Sequence, residues 1–192
     1  FFHEFLRESI TRNIRNDGGS VYAYDTSNLN VLFSGDIRYR KGSAVLHQLR
    51  WEVGDSAFFA GTRNYMAHAD LCYGFAYTQD FQDAIEASSG MDLDLFFDRY
   101  VYKEGFPILT TRWNRISDRK IRLTINQSTS HPSVSFFPLT IQMRAVGAGR
   151  DSLFTIDHST TEDIIVVDLG FKVQDREFDP NYWLITKNTL IE

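Results

Sequence analysis

The hydrophobic pattern of the chain changes once, close to Pro107. Before that residue, apolar side chains recur every three or four positions, which is the spacing of one buried face of an α-helix. After it, short β-branched stretches alternate apolar and polar residues between polar turns, which is typical of strands. The pattern predicts an α+β fold in two segregated parts, an all-α part over residues 1–105 and an antiparallel immunoglobulin-like β-sandwich over residues 106–192. Each part is expected to have its own core.

The same pattern sets approximate limits for the helices and strands. Helices are predicted over residues 2–14, 37–52, 79–87 and 92–102, with one more that ends near residue 68. Thr78 is a predicted N-cap, and Gly90 is predicted to end the helix that follows it. Strands are predicted near residues 110–113, 120–125, 139–144, 153–156, 163–167 and 171–173. Short strands at this spacing form the predicted sandwich.

Composition and charge narrow the classes of protein to which the chain can belong. Its 192 residues are 43% hydrophobic and 23% charged, which is ordinary for a folded globular protein. A net charge of −5, with no basic cluster longer than residues 38–41, argues against nucleic acid as a partner. No apolar run is long enough to span a membrane, and no feature assigns a cellular location. The one cysteine, Cys72, excludes an intrachain disulfide and is expected to pack as a small apolar group.

Tyr39 is the first candidate for chemistry. It lies where the loop that begins at Asp36 becomes a helix with an apolar stripe formed by Val45, Leu46 and Leu49. Taken alone, this position predicts an aromatic side chain whose ring packs and whose hydroxyl finds a hydrogen-bond partner. Local sequence therefore does not assign a catalytic role to Tyr39.

Other polar residues give weaker signals. His47, on the same helix, is placed to line a cleft, although a histidine satisfied in the core or at the surface is the more common case. Asp92, Asp94 and Asp98 are spaced for a helix cap and a solvated helix face rather than for a catalytic pair. The sequence also contains no Gly-rich phosphate loop and no Gly-x-Ser-x-Gly nucleophile motif.

The segment that contains Tyr39 resembles a known motif. Tyr39-Arg-Lys41-Gly42-Ser-Ala-Val-Leu46 is similar to the Tyr-x-Lys-Gly-Ala segment of the aminopeptidase N family of zinc metallopeptidases, the gluzincins, in which a helix runs on from the motif. Further stretches resemble segments of that family in the same order: residues 54–59, 63–66, 78–81, 89–97 and 105–107. Residues 136–139 and 179–185 resemble the β-sandwich domain that follows the catalytic domain in the family. The common order of these segments carries the resemblance.

The resemblance implies both a fold and a function. Residues 1–105 would be the helical end of a thermolysin-like catalytic domain, and residues 106–192 would be a sandwich that carries no catalytic residue. Tyr39 would be the catalytic residue that stabilises the transition state of peptide hydrolysis, with its hydroxyl facing an open concavity. The parent protein would be a zinc metallo-aminopeptidase, a hydrolase that removes N-terminal residues from peptide substrates.

The zinc-binding motif of that family has no counterpart in this sequence. The family binds zinc through His-Glu-x-x-His and a later Glu. The only adjacent His-Glu pair is His3-Glu4, and the position of the second histidine is taken by Arg7, a cation that would repel the metal. In the family the zinc motif precedes the tyrosine segment, so the resemblance places it upstream of Phe1. This chain alone is therefore expected to bind no metal or other cofactor and to be inactive, with the upstream part of the catalytic domain as its partner.

Two other interpretations remain open from the sequence. In one, the chain belongs to a non-catalytic relative that uses the same scaffold to bind a protein partner. In the other, it is an unrelated module of helices and a β-sandwich that binds a partner. Sequence upstream of Phe1 separates the enzyme from its non-catalytic relative, because an intact His-Glu-x-x-His with a later Glu selects the enzyme.

Overall fold

The structure, a computed structural model, describes residues 4–5 and 19–191 of the chain. Within this part, the helices lie before Pro107 and the strands begin at or after it, which confirms the α+β class. The helix predicted over residues 2–14 falls outside the described residues, apart from Glu4 and Phe5, which are helical. A bilayer-spanning helix is absent from the described part of the chain, since no helix there combines the length and the apolar character that crossing requires.

The helical part contains α-helices and π-helical segments within residues 29–102. The α-helices are α1 (Leu29–Leu32), α2 (Gly42–Val53), α3 (Asp55–Ala67), α4 (Thr78–Ser89) and α5 (Asp94–Phe97). The two π-helical segments are Gly35–Lys41, which runs directly into α2, and Asp98–Tyr102, which continues α5. The helices predicted after residue 18 are therefore confirmed in place, whereas α1 and the π-helical geometry were not predicted.

Helix α2 forms against the rest of the protein through an apolar face. Val45 and Leu49 are nearly inaccessible to solvent, as their spacing predicts. Leu46 is 44% exposed, because it lies at the edge of the stripe rather than at its centre. The helix stops at Gly54, whose φ of 79° belongs to the left-handed region that favours glycine.

The two ends of α4 were predicted with different success. Thr78 is the first helical residue rather than the N-cap, and Tyr77 precedes it. The Tyr77 amide donates a hydrogen bond of 2.6 Å to the Asp80 carboxylate, which stabilises the first turn. Gly90 ends the helix in the left-handed conformation, with a φ of 71°, as predicted.

The loop between α3 and α4 differs from its expected packing. Cys72 is exposed rather than packed as a small apolar group. Its neighbours Tyr73 and Phe75 are exposed as well, at 107% and 92%. Residues 68–74 form tight turns closed by backbone hydrogen bonds, and these turns hold their side chains outside the core.

The strands form two sheets. They are β1 (Pro107–Arg115), β2 (Lys120–Thr129), β3 (Leu139–Gly147), β4 (Arg150–His158), β5 (Glu162–Asp168), β6 (Val173–Phe178) and β7 (Lys187–Ile191). One sheet has the order β5-β2-β1-β7 and the other has the order β4-β3-β6. Neighbouring strands are antiparallel, as predicted, except for β1 and β7. These two are parallel, because the chain passes from β6 through residues 179–186 before β7 joins the other sheet beside β1.

Alternation along the strands directs one face of each sheet inward. On β2, Ile121, Leu123 and Ile125 are buried, as their spacing predicts. Arg122, between them, is exposed. The three buried side chains share one cluster with Ile141 on β3, in the other sheet. The two sheets therefore pack face to face around a common apolar core.

The helices and the sheets also share part of a core. Val134, Phe137 and Ile185 lie after the helices in sequence, yet they belong to the same buried cluster as Phe97 of α5. The expectation that each part has a core of its own is therefore wrong at this contact. The domain boundary between residues 105 and 106 stays a prediction.

Polar and aromatic contacts reinforce this region, which we call the helix–sheet interface. Trp51 on α2 donates a hydrogen bond of 2.6 Å from Nε1 to the Thr140 carbonyl on β3. Gln48, also on α2, accepts a hydrogen bond of 3.0 Å from the Ile185 amide. The Trp51 ring stacks on Trp183, with 5.2 Å between ring centroids. Helix α2 is thus attached directly to the second half of the chain.

Glu52, on the same helix, is expected to make stability depend on pH. Burial raises the pKa of its carboxyl from 4.5 to about 7, although hydrogen bonds with Thr140 act against the rise. The unfolded chain loses this proton at the lower value, so stability falls as pH rises between the two. We therefore expect Glu52→Gln to raise the free energy of unfolding by up to about 3 kcal/mol near pH 8.5, and to change it little near pH 4.

Urea denaturation of the chain at both pH values measures this difference. The matched control is Glu162→Gln, which removes an exposed carboxylate at the start of β5 and should give no gain that appears only at high pH. An effect of Glu52→Gln that is equal at the two pH values would contradict the assignment of a buried carboxyl that charges at a cost.

Candidate active site

Tyr39 lies in the π-helical segment Gly35–Lys41, and its side chain is 60% exposed. Among residues 4–5 and 19–191, no group forms a hydrogen bond with its hydroxyl. Tyr39 therefore differs from an ordinary structural tyrosine, whose ring is packed and whose hydroxyl is paired. The phenol is accessible to a ligand.

The π-helical turn that carries Tyr39 has its own local contacts. The Ser34 hydroxyl accepts a hydrogen bond of 3.4 Å from the Ile37 amide at the start of the turn. Asp36 and Arg40 form an ion pair along its exposed side. Turns of this kind are rare and occur frequently at functional sites. Because a π-helix has more residues per turn than an α-helix, α-helical spacing does not predict which way Tyr39 points.

Lys41 is the buried end of this turn. Its side chain is 0% exposed, and its Nζ donates a hydrogen bond of 3.0 Å to the Gly19 carbonyl. Burial lowers the pKa of the ammonium group from 10.5 to about 8, and the charge of Glu104 acts in the opposite direction. The sequence indicated only a short basic cluster here, because lysines are almost always exposed.

Arg38 reaches the same stretch of backbone as Lys41. Its Nη1 donates a hydrogen bond to the carbonyl of Ser20, the residue that follows Gly19. Burial lowers the pKa of this guanidinium. The backbone at Gly19 also passes very close to the turn, since a side-chain carbon built there would collide with Ile37.

Residues 20–24 connect the turn of Tyr39 to the second π-helical segment. The Ser20 hydroxyl and the Tyr22 amide each donate a hydrogen bond of 2.9 Å to the Val101 carbonyl. The Tyr24 hydroxyl donates a hydrogen bond of 2.8 Å to the Tyr102 carbonyl. The backbone around Tyr39 is thereby joined to the end of the helical part.

Two histidines have structural surroundings. The His47 ring stacks on Trp183, with 4.4 Å between ring centroids, which fits the more common role considered for it. His158 is 1% exposed, and its Nδ1 lies 2.6 Å from the Asp163 carboxylate. Burial lowers the pKa of His158, and the charge of Asp163 opposes this effect. Neither contact brings two histidines to one site, as zinc binding in the family requires.

One group of carboxylates within the described ranges is close enough to hold a cation. The ligand oxygens of Glu86, Asp92 and Asp94 lie within 4.8 Å of one another. Glu86 accepts hydrogen bonds from the Gln82 side chain, at 3.0 Å, and from the Leu93 amide, at 2.8 Å. The group offers no histidine and thus does not match the zinc ligands of the family. Its hydrogen bonds close the turn between α4 and α5, in agreement with the structural role predicted for Asp92 and Asp94.

Two cavities are lined by other parts of the protein. One of about 160 Å³ lies at the helix–sheet interface and is lined by Glu52, Phe96 and Pro138, among others. A second of about 330 Å³ lies between α3 and α4, beside His68. Tyr39 lines neither of them. The open concavity expected opposite its hydroxyl therefore stays a prediction.

Comparisons with known proteins agree with the predicted resemblance. Residues 9–100 match the family model described as the Peptidase family M1 domain. Aminopeptidase N of Lactococcus lactis is 33% identical over 82 residues, which are 43% of this chain and 9% of that protein. Tricorn protease-interacting factor F2 of Thermoplasma volcanium is 30% identical over 150 residues, which are 73% of this chain and 18% of that protein.

The fold has a close counterpart among solved structures. The crystal structure of Legionella pneumophila aminopeptidase A in complex with aspartic acid superposes with a TM-score of 0.70, covering 90% of this chain and 20% of that one. The sequence identity is 16%, so this likeness concerns the fold alone. Together the sequence comparisons confirm the resemblance to the M1 family of metallopeptidases, the aminopeptidase N family.

The match covers the residues around Tyr39 but only a small share of the relatives. Residues 39–46 lie inside the range matched by the family model. The chain spans 9% and 18% of the length of the two curated relatives above. Activity, substrate and partners of a whole protein are therefore treated below as a proposal.

Proposed function

We propose that this chain is a portion of a zinc-dependent aminopeptidase that removes N-terminal residues from peptides, with Tyr39 as a catalytic residue. The observation that supports this assignment most is the state of Tyr39, whose phenol is exposed and whose hydroxyl has no partner within residues 4–5 and 19–191. An exposed phenol without a partner in the protein is free to donate a hydrogen bond to a substrate oxygen. Its position in a segment similar to the tyrosine motif of the family gives the same assignment.

The chemistry assigned to Tyr39 is the stabilisation of negative charge. During peptide hydrolysis the carbonyl carbon becomes tetrahedral, and its oxygen gains negative charge. A phenol keeps its proton at neutral pH, so it can donate a hydrogen bond to that oxygen. The hydrogen bond is stronger in the transition state than in the bound substrate, which is the condition for catalysis. Loss of one such donor costs about 3–4 kcal/mol of transition-state stabilisation.

The zinc ion on which M1 aminopeptidases depend does not fit the described residues of this chain. A catalytic zinc takes three protein ligands, and in this family two of them are histidines. The close carboxylate group formed by Glu86, Asp92 and Asp94 contains none. His3 and Arg7, the nearest approach to a zinc motif in the sequence, lie outside the described residues. The proposal therefore assigns the zinc ligands to the upstream part of the catalytic domain and treats this chain alone as inactive.

The distribution of exposed aromatic side chains supports that upstream part as the partner. Within the described ranges, every largely exposed aromatic residue precedes Pro107. The most exposed of them are Tyr24, Phe33, Tyr39, Tyr73, Phe75 and Tyr77. Large exposed apolar areas mark surfaces that bind other protein or a ligand. In the proposal, the rest of the catalytic domain and the peptide substrate cover this surface, and the two sheets form the immunoglobulin-like sandwich without catalytic residues.

The chain alone is expected to retain no stoichiometric zinc and to hydrolyse no aminoacyl substrate, because it lacks the family's ligand set. Metal analysis of the purified, chelator-washed chain, together with an aminoacyl-nitroanilide assay in added zinc, measures both. One zinc retained per chain, or turnover above that of buffer, would show that residues of this chain form a metal site after all.

Sequencing of the parent reading frame tests whether the parent protein contains the zinc ligands that the proposal requires. An intact His-Glu-x-x-His with a later Glu, upstream of residues 39–46, is the expected finding. A parent protein with the same fold but without those ligands would instead be a non-catalytic relative, and the catalytic role proposed for Tyr39 would be wrong.

A further inference from the structure

Two of the three cations next to Tyr39 in the sequence, Arg38 and Lys41, bond to the same piece of backbone. Arg38 donates to the carbonyl of Ser20, and Lys41 donates to the carbonyl of Gly19. These two acceptors are consecutive residues, 18 and 22 positions before their donors. The turn that carries Tyr39 is therefore attached to one short stretch of backbone at two points.

The burial of Lys41 shows that this attachment is part of the interior rather than an incidental surface contact. Its side chain is 0% exposed, and an ammonium group in such a place is unfavourable unless it is well paired. Methionine or leucine would fill a similar volume without that cost. Lys41 instead makes a hydrogen bond to Gly19 that an apolar side chain cannot make.

The acceptor backbone is itself fixed. Ser20 and Tyr22 both donate to the Val101 carbonyl, so this stretch is held by the second π-helical segment. Gly19 packs directly against the Ile37 side chain of the turn. Arg38 and Lys41 thus connect the turn of Tyr39 to a part of the protein that cannot easily shift.

We infer that Arg38 and Lys41 are positioning residues for Tyr39, which set the place of its hydroxyl by fastening the π-helical turn to the carbonyls of Gly19 and Ser20. The inference rests on the proposed function of Tyr39. Such positioning is needed because the Tyr39 side chain is exposed and has no hydrogen bond of its own within the described residues. Only its backbone can then determine where the phenol lies before substrate arrives, and misplacement by about 1 Å can lower turnover by about a hundredfold.

A double-mutant cycle in the full-length parent enzyme tests this inference. We expect Lys41→Met to lower kcat by about tenfold to a hundredfold while changing KM little, because it misplaces a group that acts in the transition state. In the Tyr39→Phe background the same substitution should lower kcat by less than about twofold, since no hydroxyl is left to misplace. Arg40→Met is the matched control, because Arg40 is a partly exposed cation of the same turn that pairs with Asp36 and not with residues 19–20.

The outcomes separate the positioning role from a general role in folding. A loss of kcat that is equal with and without the Tyr39 hydroxyl, or that Arg40→Met reproduces, would overturn the inference. Should Lys41→Met not yield folded protein by circular dichroism, Arg38→Met in the same cycle gives the same test, because Arg38 is less buried. Normal turnover of Tyr39→Phe itself would refute the proposed function, whereas loss in that variant with normal turnover in both cation variants would refute positioning alone.

Discussion

Tyr39→Phe in the full-length parent protein is expected to lower kcat by about two to three powers of ten. The substitution removes one hydrogen-bond donor from the oxygen that becomes negative in the transition state, and loss of such a donor has an effect of this size. The ring remains, and within the described residues no hydrogen bond to the hydroxyl is broken. We therefore expect the folding and the zinc content of the variant to match those of the wild type, and KM to change much less than kcat.

Steady-state kinetics with an aminoacyl substrate, together with metal analysis, measure this result. Tyr73→Phe is the matched control, because Tyr73 is another exposed tyrosine inside the range matched by the family model. It lies in the loop between α3 and α4, outside the segment that resembles the tyrosine motif. Near-normal turnover of Tyr39→Phe would remove Tyr39 from the mechanism, and an equal loss in Tyr73→Phe would point to a general effect on the fold.

Phe137→Ala is expected to lower the free energy of unfolding of the chain by about 3–5 kcal/mol. Phe137 is 0% exposed and lies in the core that the helices and sheets share, with its ring 5.0 Å from that of Tyr100. Its amide and carbonyl both bond to the Gln127 side chain, at 2.7 and 2.9 Å, so the backbone is held in place and the cavity cannot collapse easily. Urea denaturation measures the change.

The same experiment tests whether the two parts unfold together. Because Phe137 belongs to a cluster with Phe97 of α5, helical circular dichroism and tryptophan fluorescence should lose their native signals in one transition, shifted equally by Phe137→Ala. Phe75→Ala removes an aromatic ring that is 92% exposed, and it should change stability by less than about 0.5 kcal/mol. Two separate transitions, only one of them shifted, would show that the shared core does not couple the parts.

The features that were predicted from the sequence are those that depend on neighbouring residues. The buried positions Val45 and Leu49 follow from helical spacing, and those of β2 follow from strict alternation. Gly90 ends its helix because its backbone conformation favours a residue without a side chain. Each of these signals lies within a few residues of the structure that it predicts.

The features that were missed depend on contacts between distant parts of the chain. Strand β7 pairs in parallel with β1 because of the path of residues 179–186, in which the buried Asp179 carboxylate accepts hydrogen bonds from the amides of Trp183 and Leu184. Phe137 lies in the part of the sequence that predicts strands, yet its side chain packs in the same buried cluster as residues of the helices. No periodicity in the sequence reports such pairings.

The candidate site shows the same division. Tyr39 was identified through a motif, since its position alone predicts only a packed aromatic residue. Arg38 and Lys41 were not identified, because their acceptors lie 18 and 22 residues away and nothing in the local pattern marks them. The π-helical turn that contains all three residues has no sequence signature, and its presence became apparent only from the backbone.

The central claim is that the Tyr39 hydroxyl donates a hydrogen bond to the peptide carbonyl oxygen that becomes negatively charged during hydrolysis. A crystal structure of the full-length parent protein with a phosphinic peptide, whose tetrahedral phosphorus oxygens stand in for those of the transition state, tests it most directly. The account predicts that Tyr39 Oη donates a hydrogen bond to one of these oxygens at about 2.5–3.0 Å. A hydroxyl that bonds instead to a fixed group of the protein, or that lies more than about 4 Å from every ligand oxygen, would contradict it.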